Sequence, residues 1–281
     1  QQLYVNPKRR VEFLAYMKIY DVVSDFESQV YRKDRSIIWI SENVRAVRDE
    51  NHKLLYFEGT VQDISERRQM EEELRQQRLR AERLLLNILP QTIAERLKRG
   101  QLTIASRFEG VTVMFADLVD FTQLAARVPA TELVKLLGEI FSEFDRLAEQ
   151  HRLEKIKTIG DAYMVVGGLP VSTPESAIAV ARMALDMQKA IAHIHRDTNE
   201  PFQLRIGINS GPIVAGVIGT KKFSYDLWGD TVNVASRMES LGLPGKIQVT
   251  ATTYDLLKAH FTFEERGTIF VKGKGEMKTY W

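Results

Sequence analysis

The sequence predicts an α+β fold, and three observations carry that prediction. From Val111 onward, apolar runs alternate with helical periodicities in a βαββαβ-like order. Ahead of that region, three runs separated by polar turns read as a strand meander. Between the two, Ser65 to about Arg99 holds few helix breakers apart from Pro90 and reads as a long helix. With 281 residues, 44% of them hydrophobic and 27% charged, the chain can bury a sizeable core in more than one domain. The expected parts are residues 1–64, 65–99 and 100–281.

The first element covers 7–21, where Val11, Phe13, Leu14, Met17 and Ile19 look helical and Pro7 suits an early helical position. Residues 26–31, 37–47 and 54–64 alternate or are rich in β-branched and aromatic side chains, with turns at 33–36 and 48–51. A meander of this kind leaves an exposed edge. In the long helix, Met70, Leu74, Ala81, Leu84 and Ile88 fit a heptad seam with Gln77 as its weak layer, while other faces mix Glu and Arg. A parallel dimeric coiled coil is expected; the alternative is a single solvated linker helix laced with ion pairs. Pro90 then bends a packed junction. Beyond it come a strand at 111–116, a helix at 131–150, a hairpin at 156–166, a helix at 174–195, strands at 202–209 and 213–218, and a helix at 230–241. Shorter elements follow to Trp281. This order implies an α/β sandwich around an antiparallel or mixed sheet.

Composition narrows the partners. Lys and Arg (39) nearly balance Asp and Glu (37), for a net charge of +2, so no basic field argues for a nucleic acid polymer. Cysteine is absent, which removes disulfides, thiolate metal sites and cysteine nucleophiles and fits a reducing, cytoplasmic location. No apolar run approaches the roughly 20 residues that span a bilayer, so no membrane contact is expected of this stretch. The chain opens on Gln1 rather than Met, which leaves room for upstream membrane or sensor segments. The five histidines form no site: His193 and His195 face different directions on a helix, and His52, His151 and His260 are isolated.

The residues that can carry chemistry are Asp117, Lys157, Asp161, Asp226, Asn233 and Arg237. Asp117 closes an apolar strand and Asp161 follows Gly160 in a tight turn, positions from which distant carboxylates can meet. Hard oxygen ligands suit Mg²⁺ or Mn²⁺. Taken alone, both aspartates read equally well as caps or turn residues. Lys157 alone would be a surface lysine and Asp226 a loop acid. Asn233 and Arg237 lie one helical turn apart and can share a face.

The segments Val113-Met114-Phe115-Ala116-Asp117-Leu118-Val119-Asp120-Phe121-Thr122, Lys155-Ile156-Lys157-Thr158-Ile159-Gly160-Asp161-Ala162-Tyr163-Met164 and Tyr225-Asp226-Leu227-Trp228-Gly229-Asp230-Thr231-Val232-Asn233-Val234-Ala235-Ser236-Arg237-Met238 closely resemble the class III nucleotidyl cyclases. The resemblance runs from about Phe108 to the C-terminus and implies a ferredoxin-like βαββαβ sandwich. Gly59-Thr60-Val61-Gln62-Asp63-Ile64-Ser65-Glu66-Arg67 resembles the closing strand of a PAS domain and its exit into an output helix. Only the later half of such a domain is visible, so no bound sensory cofactor is expected. Residues 84–97 are similar to the transducer element that precedes many cyclase domains.

What the resemblance implies is specific. Asp117, Asp161 and the Val119 carbonyl would hold two Mg²⁺ or Mn²⁺ ions, with Phe121 and Thr122 amides and Lys272 on the triphosphate. Thr122 alone reads as an ordinary helix cap. Lys157 and Asp226 match the adenine-selecting pair, where guanylate cyclases typically carry Glu and Cys. Asn233 would orient the ribose and Arg237 would stabilise the phosphorus transition state, as catalytic residues. The implied activity is conversion of ATP to 3′,5′-cyclic AMP and pyrophosphate. It would take place in a head-to-tail homodimer with two shared sites, regulated by an N-terminal sensor through the coiled coil. Three alternatives remain open. A guanylate cyclase is disfavoured by Lys157 and Asp226, and a diguanylate cyclase by the absence of its Gly-Gly-Asp/Glu-Glu-Phe signature. The third is a non-enzymatic dimerisation module carrying an inactive cyclase fold.

Overall fold

The structure, a computed structural model, describes residues 3–101, 104–194, 201–219 and 222–281. The chain forms two compact units, Gln1–Pro90 and Gln91–Trp281.

In the first unit, helix α1 (Pro7–Ile19) starts at Asn6, whose side chain accepts from the Lys8 amide, with Pro7 at the first helical position. Strands β1 (Val22–Tyr31), β2 (Ile37–Arg48) and β3 (Leu54–Asp63) form an antiparallel sheet in the order β1-β2-β3. Its small core joins Met17 to Val23, Phe26, Val30 and Ile40. Every residue of β3 is exposed, the unpaired edge that the sequence predicts. Helix α2 (Ser65–Leu86) is tied to the sheet at its start: Ser65 Oγ accepts from the Trp39 amide at 2.9 Å, and Arg67 pairs with Glu27 of β1 at 2.5 Å. No residue of α2 is buried, so Met70, Leu74 and Leu84 lie open to solvent. The helix read through 65–99 is interrupted at the Pro90 junction that the sequence predicts. Residues 87–90 form a turn before α3 (Gln91–Lys98), because Pro90 lacks the amide that a continuous helix requires. No helix among the described residues is long and apolar enough to cross a membrane.

The second unit is built on one mixed sheet. Strand β4 (Ile104–Leu118) leads through α4 (Phe121–Ala125) and α5 (Ala130–Gln150) to the hairpin β5 (Glu154–Ile159) and β6 (Ala162–Gly167). Then α6 (Glu175–Ile191) returns to β7 (Leu204–Ile218). Within the sheet these strands lie in the order β7-β4-β6-β5, all neighbours antiparallel, which is the ferredoxin-like βαββαβ arrangement. The remaining elements are β8 (Ser224–Trp228), α7 (Asp230–Ser240), β9 (Ile247–Thr250), α8 (Ala251–Leu257), β10 (Glu265–Val271) and β11 (Gly275–Tyr280). They extend the sheet from β7 through a parallel pairing with β9 and an antiparallel pairing with β8.

Alternation along β4 sends its side chains to opposite layers. Met114, Ala116 and Leu118 join Phe144, Met183 and Met187 of α5 and α6, while Val111, Val113 and Phe115 join Ala235 of α7. Three sequence expectations are corrected here. The two strands at 202–209 and 213–218 are one, β7, because the Gly211-Pro212 interruption falls beside a register shift in the β4 pairing. The expected loop acid Asp226 sits on a strand, β8, which exists only through pairing with the far half of β7. Helix α6 ends at Ile191, short of the predicted 195, and His195 lies outside the described residues.

Candidate active site

Asp117 is the next-to-last residue of β4 and, by alternation, points to the α7 side of the sheet. Arg205, its cross-strand partner on β7, donates from Nη2 to Asp117 Oδ2 at 2.7 Å and from Nε to Glu239 Oε1 of α7 at 3.2 Å. Burial and the neighbouring Asp161 push the Asp117 carboxyl above its usual range, and Arg205 works against the rise. Glu239 is buried too. Burial and the Asp117 charge raise it to about 7, again opposed by Arg205.

Asp161 lies in the β5–β6 turn, where Gly160 takes the left-handed conformation (φ +62°) that a tight turn needs. Because Asp117 pairs with Ala162 across β4 and β6, Asp161 sits one residue from that rung. The structure therefore brings the predicted metal pair together, and the Asp161 charge raises the cost of ionising Asp117, an environment that a cation relieves. Among the described residues no group of three or more His, Cys, Asp or Glu side chains surrounds a point where a metal could sit. Two hard carboxylates so placed suit Mg²⁺ or Mn²⁺, ions that complete their coordination with other oxygen ligands such as water.

Lys157 of β5 and Asp226 of β8 meet at 2.5 Å between Nζ and Oδ2. The other oxygen, Oδ1, accepts from the Leu227 amide at 2.8 Å, which fixes the carboxylate plane. One donor and one acceptor are thus held side by side.

Asn233 and Arg237 project from the exposed face of α7, and neither side chain has a hydrogen-bond or ion-pair partner among the described residues. Val234, Ala235 and Met238 occupy the opposite, buried face. Lys272 is exposed in the β10–β11 turn, and its neighbour Lys274 pairs with Asp230 at the start of α7 at 2.6 Å. At the end of β4, the Val119 amide donates to the Gln203 carbonyl at 2.9 Å. Phe121 is buried at the start of α4, and exposed Thr122 is the second helical residue. The capping reading of Thr122 is corrected: Asp120 holds the cap position, in the left-handed conformation (φ 59°). No hydrogen bond or ion pair joins Asp117 or Asp161 to Lys157, Asp226, Asn233 or Arg237.

Among the histidines, His151, read as isolated, has its Nε2 2.9 Å from Asp186 of α6, and His193 falls beyond the end of the helix that the sequence predicts for it. Sequence reasoning missed Arg205 and Glu239. Their signal is faint: an Arg among the apolar residues of a strand, and a Glu on the apolar side of an amphipathic helix.

An adenylate cyclase of Mycobacterium tuberculosis (strain ATCC 25618 / H37Rv) is 48% identical over 203 residues, covering 72% of this chain and 46% of that protein. The rat guanylate cyclase soluble subunit beta-2 is 46% identical over 204 residues, covering 72% of this chain and 30% of that protein. The chain thus spans less than half the length of these curated relatives. Among solved structures, the guanylate cyclase domain of RhGC from Catenaria anguillulae in complex with GTP superposes with a TM-score of 0.61 at 39% identity. That match covers 63% of this chain and 97% of the domain. The family model described as the adenylate and guanylate cyclase catalytic domain matches residues 103–281, the span that holds every residue of the site, and the chain belongs to that family.

Proposed function

We propose that the chain is an adenylate cyclase, converting ATP to 3′,5′-cyclic AMP and pyrophosphate by attack of the ribose 3′-hydroxyl on the α-phosphorus. Relatives of both purine specificities match at similar identity, so the Lys157–Asp226 pair is the observation that carries the choice. Lys157 donates to an adenine ring nitrogen and Asp226 accepts from the exocyclic amine; guanine presents the reverse pattern. Because the two side chains pair with each other, a purine edge that inserts between them replaces one ion-pair contact with two hydrogen bonds.

Asp117, Asp161 and the Val119 carbonyl would hold two Mg²⁺ or Mn²⁺ ions. When bound, the ions lower the hydroxyl pKa and neutralise the leaving pyrophosphate. Amides of Phe121 and Thr122, in a helical first turn with no intrahelical acceptors, receive phosphate oxygens, and Lys272 adds a positive charge. Asn233 orients the ribose, and the permanent planar cation of Arg237 meets charge developing at phosphorus.

Asn233 and Arg237 are exposed and have no partner among the described residues, which supports a site completed between two chains. In a head-to-tail homodimer each site takes Asp117 and Asp161 from one chain and Lys157, Asp226, Asn233 and Arg237 from the other. The open apolar seam of Met70, Leu74, Ala81 and Leu84 would pair with its copy as a parallel coiled coil, raising local concentration and relaying an upstream PAS-type sensor's state.

The test is cyclic nucleotide formation from ATP and from GTP, each with Mg²⁺ or Mn²⁺, with Asp117→Ala as blank. Metal-dependent cyclic AMP that disappears in the variant supports the reading, and preferential cyclic GMP overturns it. Mixing Asp117→Ala with Arg237→Ala chains rebuilds one intact site per heterodimer; silence from a proven heterodimer sinks the shared-site arrangement.

A further inference from the structure

We infer that Arg205 and Glu239 are positioning residues that couple metal loading in one active site of the dimer to the seating of α7 in the other. The inference rests on the shared-site reading above and extends it with two residues that have no role there.

The geometry is a three-residue chain. The Arg205 guanidinium uses one N–H edge for Asp117 and another for Glu239, at 2.7 and 3.2 Å. Its fork is planar and rigid, so the two carboxylates cannot shift independently without breaking one bond. Glu239 lies on the buried side of α7, next to Met238 and two residues after Arg237. A buried carboxylate of this kind adds little to stability, since an apolar side chain of similar volume in its place is often neutral or better. Packing alone therefore gives no reason for a glutamate there.

One end of this chain is Asp117, which serves the metal half-site. The other end is α7, which carries Asn233 and Arg237. In a head-to-tail dimer those two half-sites belong to different active sites. Charge compensation at Asp117 weakens its hold on Arg205 and leaves the guanidinium to Glu239, fixing α7 more firmly in its seat against the sheet. In the structure Arg205 is divided between them.

The experiment uses the heterodimer of Asp117→Ala and Arg237→Ala chains, whose one working site takes its carboxylates from the Arg237→Ala chain and its α7 from the other. Glu239→Gln, which keeps the shape and an acceptor for Arg205, is placed in one chain or the other. In the carboxylate-donating chain it should raise the Mn²⁺ concentration for half-maximal rate about three- to tenfold, with kcat at saturating Mn²⁺ within about twofold. In the α7-donating chain it should lower kcat about tenfold and leave the Mn²⁺ requirement unchanged. Mn²⁺ binding to the Glu239→Gln homodimer, read by paramagnetic resonance with 3′-deoxy-ATP present, should weaken by the same three- to tenfold.

Equal effects from both placements, or an unchanged Mn²⁺ affinity, overturn the inference. If the parental heterodimer is silent, the shared-site reading fails and the coupling between sites fails with it; the homodimer's Mn²⁺ affinity then separately decides whether Glu239 reaches Asp117. Arg205→Lys, whose single ammonium cannot span both carboxylates, carries the same measurements should Glu239→Gln not fold.

Discussion

Adding one methyl group at Gly207 should displace the helix on which the proposed chemistry depends. Gly207 is on β7 between Arg205 and Asn209, facing α7, and a Cβ there would lie 2.0 Å from the Glu239 amide nitrogen, 2.5 Å from the Met238 carbonyl carbon and 2.6 Å from the Ala235 carbonyl oxygen. All three are backbone atoms, so no side chain can swing aside. Ordinary contact begins at 3.4 Å, and the helix would have to retreat by more than 1 Å. Overpacking of this kind costs about 1–3 kcal/mol, a fall in Tm of about 6–12 °C at the upper end for a unit of this size. Misplacing catalytic groups by about 1 Å costs roughly 100-fold in rate. Gly207→Ala should therefore fold with a lowered melting temperature and lose about two orders of magnitude in kcat for cyclic AMP at saturating ATP and Mn²⁺. Melting followed by circular dichroism, with initial rates on the folded dimer, gives both numbers. A variant that melts with the parent and keeps its kcat would refute the claim that this close approach sets α7.

Gly138 offers the opposite case. It lies on the exposed face of α5 with nothing within 4 Å of a built Cβ, so Gly138→Ala should raise stability by about 0.5–1 kcal/mol in denaturant titration. The Glu239 carboxyl, raised from 4.5 to about 7 by burial and Asp117, binds its proton more tightly folded than unfolded. Its contribution is thus full below about pH 4.5 and lost as pH rises through about 7, a fall of up to about 3 kcal/mol in the metal-free protein. Glu239→Gln should flatten that slope, and an equal slope in both proteins would assign it elsewhere. For the purine, Lys157→Glu combined with Asp226→Cys presents acceptor and donor in the order guanine needs, and the ratio of cyclic GMP to cyclic AMP should rise about 10- to 100-fold. An unchanged product ratio in an active double variant would show that selection lies outside this pair.

Much of the second unit was legible because its strands and helices obey local rules. The unbroken apolar run at 111–116, buried at every position, reads as a strand that Asp117 closes, whereas the layer that Asp117 faces follows only from what packs on each side of the sheet. Asn233 and Arg237 share an exposed face because four residues make about one helical turn. The misreadings come where a distant partner decides. Gly211-Pro212 reads as a strand break, yet the strand continues because the lost amide falls at an irregularity, and the Pro212 carbonyl accepts from the Thr231 hydroxyl at 2.7 Å. Likewise, residues 224–228 become a strand only beside β7.

Arg205 and Glu239 escaped for the same reason, since neither their burial nor their pairing can be read from local periodicity. A trace of both is nevertheless present in β7. Leu204, Ile206 and Ile208 supply the α5–α6 core, while the interleaved Arg205, Gly207 and Asn209 contain no large apolar side chain, although that face is covered. A strand covered on both faces by ordinary packing would be apolar on both. The exception marks a face selected to position a helix: Arg205 bonds Glu239, Gly207 admits the backbone near Met238, and Asn209 donates to the Thr231 carbonyl at 3.0 Å. These contacts reach α7 from its first turn to its last, holding its rotation and its height above the sheet. Because Asn233 and Arg237 have no other anchor among the described residues, their position is inherited from this alternate set on β7.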